Sequence, residues 1–166
     1  KSIKLLKSKF NRRPNKILDL ACGTGLFGEE LIKIYKNSQI YGSDISEKSL
    51  VIAKEKKIYK KLFKKDFEKK INFQIKFELV SMIGAMTYCK NFKKLFSNIN
   101  YYLLKNGYFV FSHRIDLWKK QNFNEILNAH KSYFKIKFIS GPNNYLPANK
   151  DFSNKIKIRL VLLQKI

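Results

Sequence analysis

Residues 16–35 read KILDLACGTGLFGEELIKIY, and this stretch is the strongest indication of the fold. Its first part is mostly apolar, which predicts a buried strand over 16–22, and from Leu26 apolar residues recur at the helical spacing of about 3.6 residues. The join carries the glycine pattern G-x-G-x-x-G, from Gly23 to Gly28. Glycines let the main chain approach a ligand closely, and a helix N-terminus presents unused N–H groups. The stretch predicts a ligand at the turn, with an ordinary tight turn as the alternative.

Apolar runs and amphipathic segments alternate along the rest of the chain, which predicts a parallel sheet covered on both faces. The further predicted strands are 39–45, 59–67, 75–83, 108–112, 133–139 and 155–163, and the predicted helices are 1–10, 26–35, 47–57, 92–104 and 116–131. The last two strands have no helix between them, so we expect an antiparallel pair at the sheet edge. The fold class is α/β: a doubly wound three-layer sandwich whose seven-stranded, mostly parallel sheet has an antiparallel last strand.

The size of the chain, 166 residues and 19.7 kDa, suits one domain, which we expect to span 1–166. Hydrophobic residues at 45% exclude a disordered chain, and no apolar run approaches the roughly 18 residues of a membrane span. The opening KSIKLLKSKFNRRP lacks the features of a secretory signal, and we expect it to be the remnant of a longer N-terminus. Cys22 and Cys89 are too few for a disulfide framework, which favours a cytoplasmic protein.

The charge of the chain is +23, from 35 basic and 12 acidic residues, and such a value is typical of nucleic-acid or membrane-surface binding. Of the basic residues 31 are lysine, and the arginines are Arg12, Arg13, Arg114 and Arg159. Lysine belongs with isoleucine, asparagine, phenylalanine and tyrosine to a set with A/T-rich codons, and this set supplies 88 residues. Because phosphate sites favour arginine, we expect a solvated lysine surface, with nucleic acid as a less favoured partner.

Three of the five aspartates fall at the carboxyl ends of predicted strands, where ligands bind open α/β sheets. Asp19 lies in the first strand, and Asp44 and Asp66 lie at the ends of the second and third. Asp44 follows Gly25 by 19 residues, close to the roughly 20-residue spacing of an acid that binds a ribose diol. Helix capping is the alternative for each acid alone. Together they predict a nucleoside ligand with a positive charge.

Two nucleoside ligands compete for this rim. A dinucleotide would bring its pyrophosphate to the helix N-terminus, next to the glycines. Asp19 stands four residues before Gly23, where its charge opposes a pyrophosphate and suits a sulfonium or an amine. The antiparallel last strand also departs from the dinucleotide pattern, so the residues favour the cationic nucleoside.

The motifs, in their order along the chain, resemble those of the class I S-adenosylmethionine-dependent methyltransferases. ILDLACGTG (17–25) resembles the glycine-rich first motif, GSDIS (42–46) the second and KDF (65–67) the third. FELVSMIGAM (77–86) resembles the fourth-strand motif, and LLKNGYFVFS (103–112) resembles the turn before the fifth strand. Shorter stretches, GAMTY, SHRIDLW and NNYLP, are most similar to the small Williams–Beuren-region methyltransferase-like group.

The resemblance implies S-adenosyl-L-methionine as the cofactor and no metal. Asp44 would bind the ribose hydroxyls, Asp66 with Phe67 the adenine, and the loop after the first strand the methionine part. The implied cofactor set is Asp19, Ala21, Cys22, Gly23, Thr24, Gly25, Asp44, Ile45, Asp66, Phe67, Ser81, Met82 and Ile83. In this family a helix before the first motif covers the cofactor, and that helix is mostly absent from residues 1–166.

The implied reaction is in-line displacement of the sulfonium methyl by a nucleophilic atom of an acceptor, which we expect to be a small molecule. His113, after the fifth strand, is the best candidate for a general base, with an ordinary loop histidine as the alternative. Tyr88 and Arg114 are candidates on the substrate side. We expect Cys22 to pack rather than to act as a nucleophile.

Two functions of other classes stay open. One is a doubly wound NAD(P)-binding oxidoreductase, which would use the same glycine turn and the same acid. The other is a non-catalytic methyltransferase-like module that holds nucleic acid on its lysine surface.

Overall fold

Strands and helices alternate through the computed structural model, which describes Leu6, Ser8 and residues 13–144 and 156–166. The strands are β1 Lys16–Leu20, β2 Gln39–Asp44, β3 Tyr59–Lys64, β4 Phe77–Met82, β5 Leu103–Arg114, β6 Phe134–Ile139, β7 Asn143–Asn144 and β8 Lys157–Lys165. The helices are α1 Leu26–Ile34, α2 Glu47–Glu55, α3 Phe92–Tyr102, α4 Ile115–Lys120 and α5 Phe123–Ala129, with a 3₁₀ turn at Met86–Tyr88. The predicted helix over 1–10 lies outside the described residues, apart from Leu6 and Ser8, which are both helical.

The sheet has the strand order β3-β2-β1-β4-β5-β8-β6, and β7 pairs with β8 beside this path. The first five strands are parallel, and β8 runs antiparallel to both β5 and β6. The doubly wound α/β fold with an antiparallel last strand is therefore confirmed. Within the described residues the sheet has eight strands rather than seven, because Asn143 pairs with Ile158 and Asn144 with Lys157. A two-residue strand has no periodic pattern for a sequence to reveal.

Both faces of the sheet are buried. Along β5, Phe109 and Phe111 contribute to one hydrophobic cluster and Val110 to the other, as the two-residue period of a strand requires. Helix α3 covers the first face with Phe96, and α1 covers the second with Leu31. The layers are therefore helix, sheet and helix, and the carboxyl ends of the parallel strands open on one rim.

The predicted helix 116–131 is wrong as a single helix. The structure has two helices, α4 and α5, separated by Asn122, whose φ of 50° lies in the left-handed region. Asparagine tolerates this conformation better than most residues, while apolar residues continue at helical spacing across the break. The predicted helix 92–104 also ends early, at Tyr102, because the chain enters β5 at Leu103.

Helix α2 begins where the sequence predicted. Ser46 is its N-cap, and the Ser46 hydroxyl accepts a hydrogen bond of 3.2 Å from the backbone N–H of Ser49. This cap fixes the turn that follows Asp44 at the end of β2. Within the described part of the chain, no helix is both long and apolar enough to cross a bilayer.

Candidate active site at the carboxyl ends of the strands

The loop between β1 and α1, residues 21–25, is folded by left-handed backbone angles. Ala21, Gly23 and Gly25 have φ values of 55°, 54° and 84°. A Cβ atom at Gly23 would meet nothing within 4 Å, so this side of the loop faces open space. The glycine turn thus leaves bare main chain available to a ligand at Gly23. The left-handed Ala21 has no signal in the sequence, because alanine rarely adopts this conformation.

Asp44 joins the end of β2 to this loop. Its Oδ2 accepts a hydrogen bond of 2.7 Å from the backbone N–H of Gly23, and its Oδ1 accepts one of 2.8 Å from Ser46. Each oxygen of a carboxylate has two lone pairs, so both oxygens keep capacity for a further donor. A vicinal diol presents two donors of this kind, and Asp44 is only partly buried.

A cavity of about 330 Å³ lies in front of the loop, within the size range of small-molecule sites. Six of the residues predicted for the site line it: Ala21, Asp44, Ile45, Phe67, Ile83 and Tyr88. Three others complete the lining: Lys65, Gly84 and Ala85. Ile45 and Tyr88 are 68% and 74% exposed, so they stand at the mouth. Gly84 and Ala85 fall in the stretch that resembles the fourth-strand motif, but the sequence did not single them out as site residues.

Asp19 lies behind the loop rather than in the cavity, since it is 1% exposed. Its Oδ1 accepts a hydrogen bond from the Ser81 hydroxyl and its Oδ2 accepts one from the Tyr59 hydroxyl, both at 2.8 Å. Burial raises the pKa of the Asp19 carboxyl to about 6, against the lowering effect of these two donors. Tyr59 is the contributor that sequence reasoning missed, because β3 begins 40 residues after Asp19.

Other residues of the predicted cofactor set are placed around the cavity in different ways. Ser81 and Met82 are completely buried at the end of β4, and Thr24 is partly buried in the loop. Asp66 is not among the lining residues given above, and its Oδ1 accepts a hydrogen bond of 2.9 Å from the N–H of Glu68. Burial, together with Asp19 and Asp44, raises the pKa of the Cys22 thiol, which keeps it protonated.

His113 lies inside β5 and not in a loop after it, because β5 continues to Arg114 through pairing with β8. The imidazole is 1% exposed, with Nε2 at 2.9 Å from the Gln121 Oε1 and the ring centroid 4.5 Å from that of Phe123. Its Nδ1 has no hydrogen-bond partner among the residues that the structure describes. Desolvation lowers the pKa of His113, which keeps the ring neutral. Arg114 forms an ion pair of 2.6 Å with Asp116.

The class of the chain follows from a family comparison. The family model described as "Methyltransferase domain" matches residues 12–155, which is most of the chain. The chain therefore belongs to the methyltransferase domain family.

Solved structures of methyltransferases share this fold. N-methyltransferase NodS from Bradyrhizobium japonicum WM9, in complex with S-adenosyl-L-homocysteine, superposes with a TM-score of 0.74 at 13% identity, over 99% of this chain and 85% of that chain. An S-adenosylmethionine-dependent methyltransferase from Clostridium acetobutylicum ATCC 824 gives a TM-score of 0.74 at 17% identity, over 98% of this chain and 88% of that chain. At these identities the likeness is one of fold.

A curated relative matches a shorter stretch. Malonyl-[acyl-carrier protein] O-methyltransferase from Legionella pneumophila is 46% identical over 44 residues, which cover 26% of this chain and 16% of that protein. The alignment thus includes only a small part of the relative.

Proposed function

We propose that this chain is an S-adenosyl-L-methionine-dependent methyltransferase that acts on a small-molecule acceptor. The observation that carries the proposal is the carboxylate of Asp44, which lines the cavity and accepts the backbone N–H of Gly23. An acid with spare lone pairs at the wall of a cavity can accept both hydroxyls of a ribose diol. The methyltransferase family of the chain supports this interpretation.

The residues present fit such a cofactor in its three parts. Asp44 would accept the ribose hydroxyls, and the loop 21–25 would approach the methionine part with its main chain. Ile45, Phe67 and Ile83 supply apolar area for a purine ring, and we propose Asp66 as a further adenine contact. Ser81 and Met82 are too buried to touch a ligand in the cavity. Lys65 is less suited to this role, because it brings a positive charge to the lining.

The cofactor, when bound, supplies an activated methyl group, so the protein has to position the acceptor and exclude water. Tyr88, at the mouth of the cavity, is the proposed acceptor contact, together with Arg114. His113 stays a predicted general base. Its burial and neutral ring give it the right protonation state for a base, while an acceptor would need access to a side chain that is 1% exposed.

Two alternative functions make different demands on the site and can be tested. An NAD(P)-binding oxidoreductase would use Asp44 for its ribose but would place a pyrophosphate at the loop, close to the carboxyl of Asp19, whose charge opposes it. A non-catalytic nucleic-acid module would use the lysine surface. Membership of the Williams–Beuren-region group also stays a prediction, because it depends on three short stretches of sequence.

Titration calorimetry with S-adenosyl-L-homocysteine and, separately, with NADH tests the proposal. We expect saturable binding of the first nucleoside and none of the second. Tighter binding of NADH would favour the oxidoreductase instead. Incubation of the protein with labelled S-adenosyl-L-methionine and a metabolite extract, with and without ribonuclease, would then identify the methylated class of molecule.

A further inference from the structure

Three glycines surround a single side chain, the ring of Tyr59. A Cβ atom at Gly42 in β2 would lie 2.9 Å from Tyr59 Cε1, and one at Gly28 in α1 would lie 2.6 Å from Tyr59 Cζ. A Cβ atom at Gly25 would lie 3.0 Å from Tyr59 Cε2. Contacts below about 3 Å are closer than side chains tolerate. The last glycine of the G-x-G-x-x-G pattern thus makes room for a tyrosine of the protein itself.

The sheet register explains why this ring can reach Asp19. Tyr59 stands opposite Ile40 on β2, whereas Asp19 stands opposite Gly42, two residues further along the same strand. Because Gly42 has no side chain, the tyrosine ring crosses it diagonally, and its hydroxyl donates to Asp19 Oδ2 at 2.8 Å. Ser81, the partner of Asp19 on β4, donates to the other oxygen.

We propose that Tyr59 is a positioning residue of the cofactor site, whose hydroxyl holds the Asp19 carboxylate in its ionised form directly beneath the glycine loop. The inference rests on the proposed function, since the cofactor's amino group is the charge that a buried carboxylate would attract. Asp19 is too buried to touch a ligand in the cavity. It therefore acts through its charge, which burial leaves weakly screened.

The groups that face Asp19 come from strands β2, β3 and β4 and from the loop 21–25. Asp44 of β2 opposes its ionisation, and the donated bonds of Tyr59 and Ser81 favour it. The thiol of Cys22 is the neighbour from the loop, and burial keeps it neutral. Since the pKa of Asp19 is about 6, its charge state changes close to neutral pH. Removing one donor should move this titration to higher pH.

The first measurement is the titration of Asp19 in the protein without ligand, by ¹³C NMR of labelled aspartate carboxyls, with Asp19→Asn used to assign its signal. We expect Tyr59→Phe to raise the midpoint by about one pH unit, the equivalent of a lost hydrogen bond to a charged group. Ser81→Ala removes the other donor and should shift it in the same direction. An unchanged midpoint in Tyr59→Phe overturns the proposal.

Tyr41→Phe is the matched control. Tyr41 lies on β2, is as buried as a core residue, and its hydroxyl bonds to Gln39 at 3.4 Å rather than to an aspartate. The variant Tyr41→Phe should have the same midpoint of the Asp19 titration as the unmodified protein. Thermal unfolding shows whether each variant is folded, and the phenylalanine ring still fills the space between the glycines.

The second measurement is the affinity for S-adenosyl-L-homocysteine between pH 6 and pH 8.5. If the midpoint rises from about 6 to about 7, the ionised fraction at pH 6.5 falls about threefold, and we expect the affinity of Tyr59→Phe to fall by up to that factor. At pH 8.5 the affinity should match that of Tyr41→Phe. A loss that is equal at every pH contradicts the role of Tyr59 in holding the charge. Absence of binding in the unmodified protein refutes the proposed function instead, while the NMR midpoints still judge the hydrogen bond.

Discussion

At the scale of single residues, Asp44 is the central group of the candidate site. Its two oxygens accept backbone N–H groups from Gly23 and Ser46, so the carboxylate is oriented before any ligand arrives. Preorganised acceptors of this kind lose little entropy on binding. Ser46 in turn caps α2, which links the position of the acid to the start of a helix.

Asp44→Ala should weaken the binding of S-adenosyl-L-homocysteine by about 1–3 kcal/mol, the scale of hydrogen bonds to a charged group. The comparison variant is Glu47→Ala. It also removes one negative charge, at a position three residues after Asp44, where Glu47 forms an exposed ion pair with Lys64. Calorimetry should give Glu47→Ala nearly unchanged affinity. Equal affinities in Asp44→Ala and the unmodified protein would refute the ribose role.

The burial of Asp19 makes the stability of the protein depend on pH, and the direction of this dependence follows from the pKa of the carboxyl. Its pKa rises from 3.8 in the unfolded chain to about 6 in the folded protein. Its favourable contribution to the free energy of unfolding is therefore fully present below about pH 4 and is lost as the pH rises through 6. At about 1.36 kcal/mol for each pH unit, the full loss is about 3 kcal/mol at pH 8. Burial is the main cause.

Asp19→Asn should therefore gain stability relative to the unmodified protein as the pH rises. We expect the difference in the free energy of unfolding to widen by about 2–3 kcal/mol between pH 4 and pH 8, measured by urea unfolding. Asp116→Asn is the control, because Arg114 lowers the pKa of Asp116, so that this carboxyl titrates below the measured range and its loss should leave the difference nearly constant between pH 4 and pH 8. A constant difference between Asp19→Asn and the unmodified protein would contradict the raised pKa.

At the scale of elements, two glycines allow α1 to pack close to the sheet. Gly28 lies on the helix face that meets Tyr59, and Gly42 lies beneath the same ring. α1 begins at Leu26, directly after the loop 21–25, so the position of this helix also sets that of the loop. A helix that stood further away would open this loop and separate Gly23 from Asp44.

Gly28→Ala should destabilise the protein by about 1–3 kcal/mol, the usual cost of overpacking a close contact, although alanine is the better helix former. Gly141→Ala is the matched control, because a Cβ atom there would meet nothing within 4 Å. Chemical unfolding of the two variants measures the difference. A stability gain in Gly28→Ala would show that α1 can move away from Tyr59 without cost.

At the scale of the whole molecule, the lysine excess has a structural use. The strands at the two ends of the sheet path, β3 and β6, carry exposed lysines at Lys60, Lys61, Lys64, Lys135 and Lys137. Charged side chains on an edge strand discourage pairing with a strand of another molecule. Part of the net charge therefore protects the sheet without any nucleic-acid partner.

Binding of a short mixed-sequence RNA should accordingly be weak at physiological salt. We expect its salt dependence to correspond to no more than about two phosphate contacts, measured by fluorescence anisotropy over a series of salt concentrations. A steep dependence with tight binding would favour the nucleic-acid module. S-adenosyl-L-homocysteine binding in the same series serves as the reference for folded protein.

Local patterns were enough to predict the strand–turn–helix unit, the acid at the end of β2, the cap at Ser46 and the doubly wound sheet. The first three depend on neighbours within one turn or one strand, and the sheet follows from the alternation of apolar runs with amphipathic segments. Six residues of the predicted site line the cavity, because the carboxyl ends of parallel strands meet at one rim.

The surroundings of these elements depend on contacts between residues that are far apart in the chain. The bonds of Asp19 join residues 40 and 62 positions away, and no local pattern encodes such pairs. The break at Asn122, the extension of β5 past His113 and the burial of its ring likewise depend on packing against β8 and the helices. The sequence determined which groups are present and in which order. Burial then determined their charge, because desolvation depends on every neighbour at once.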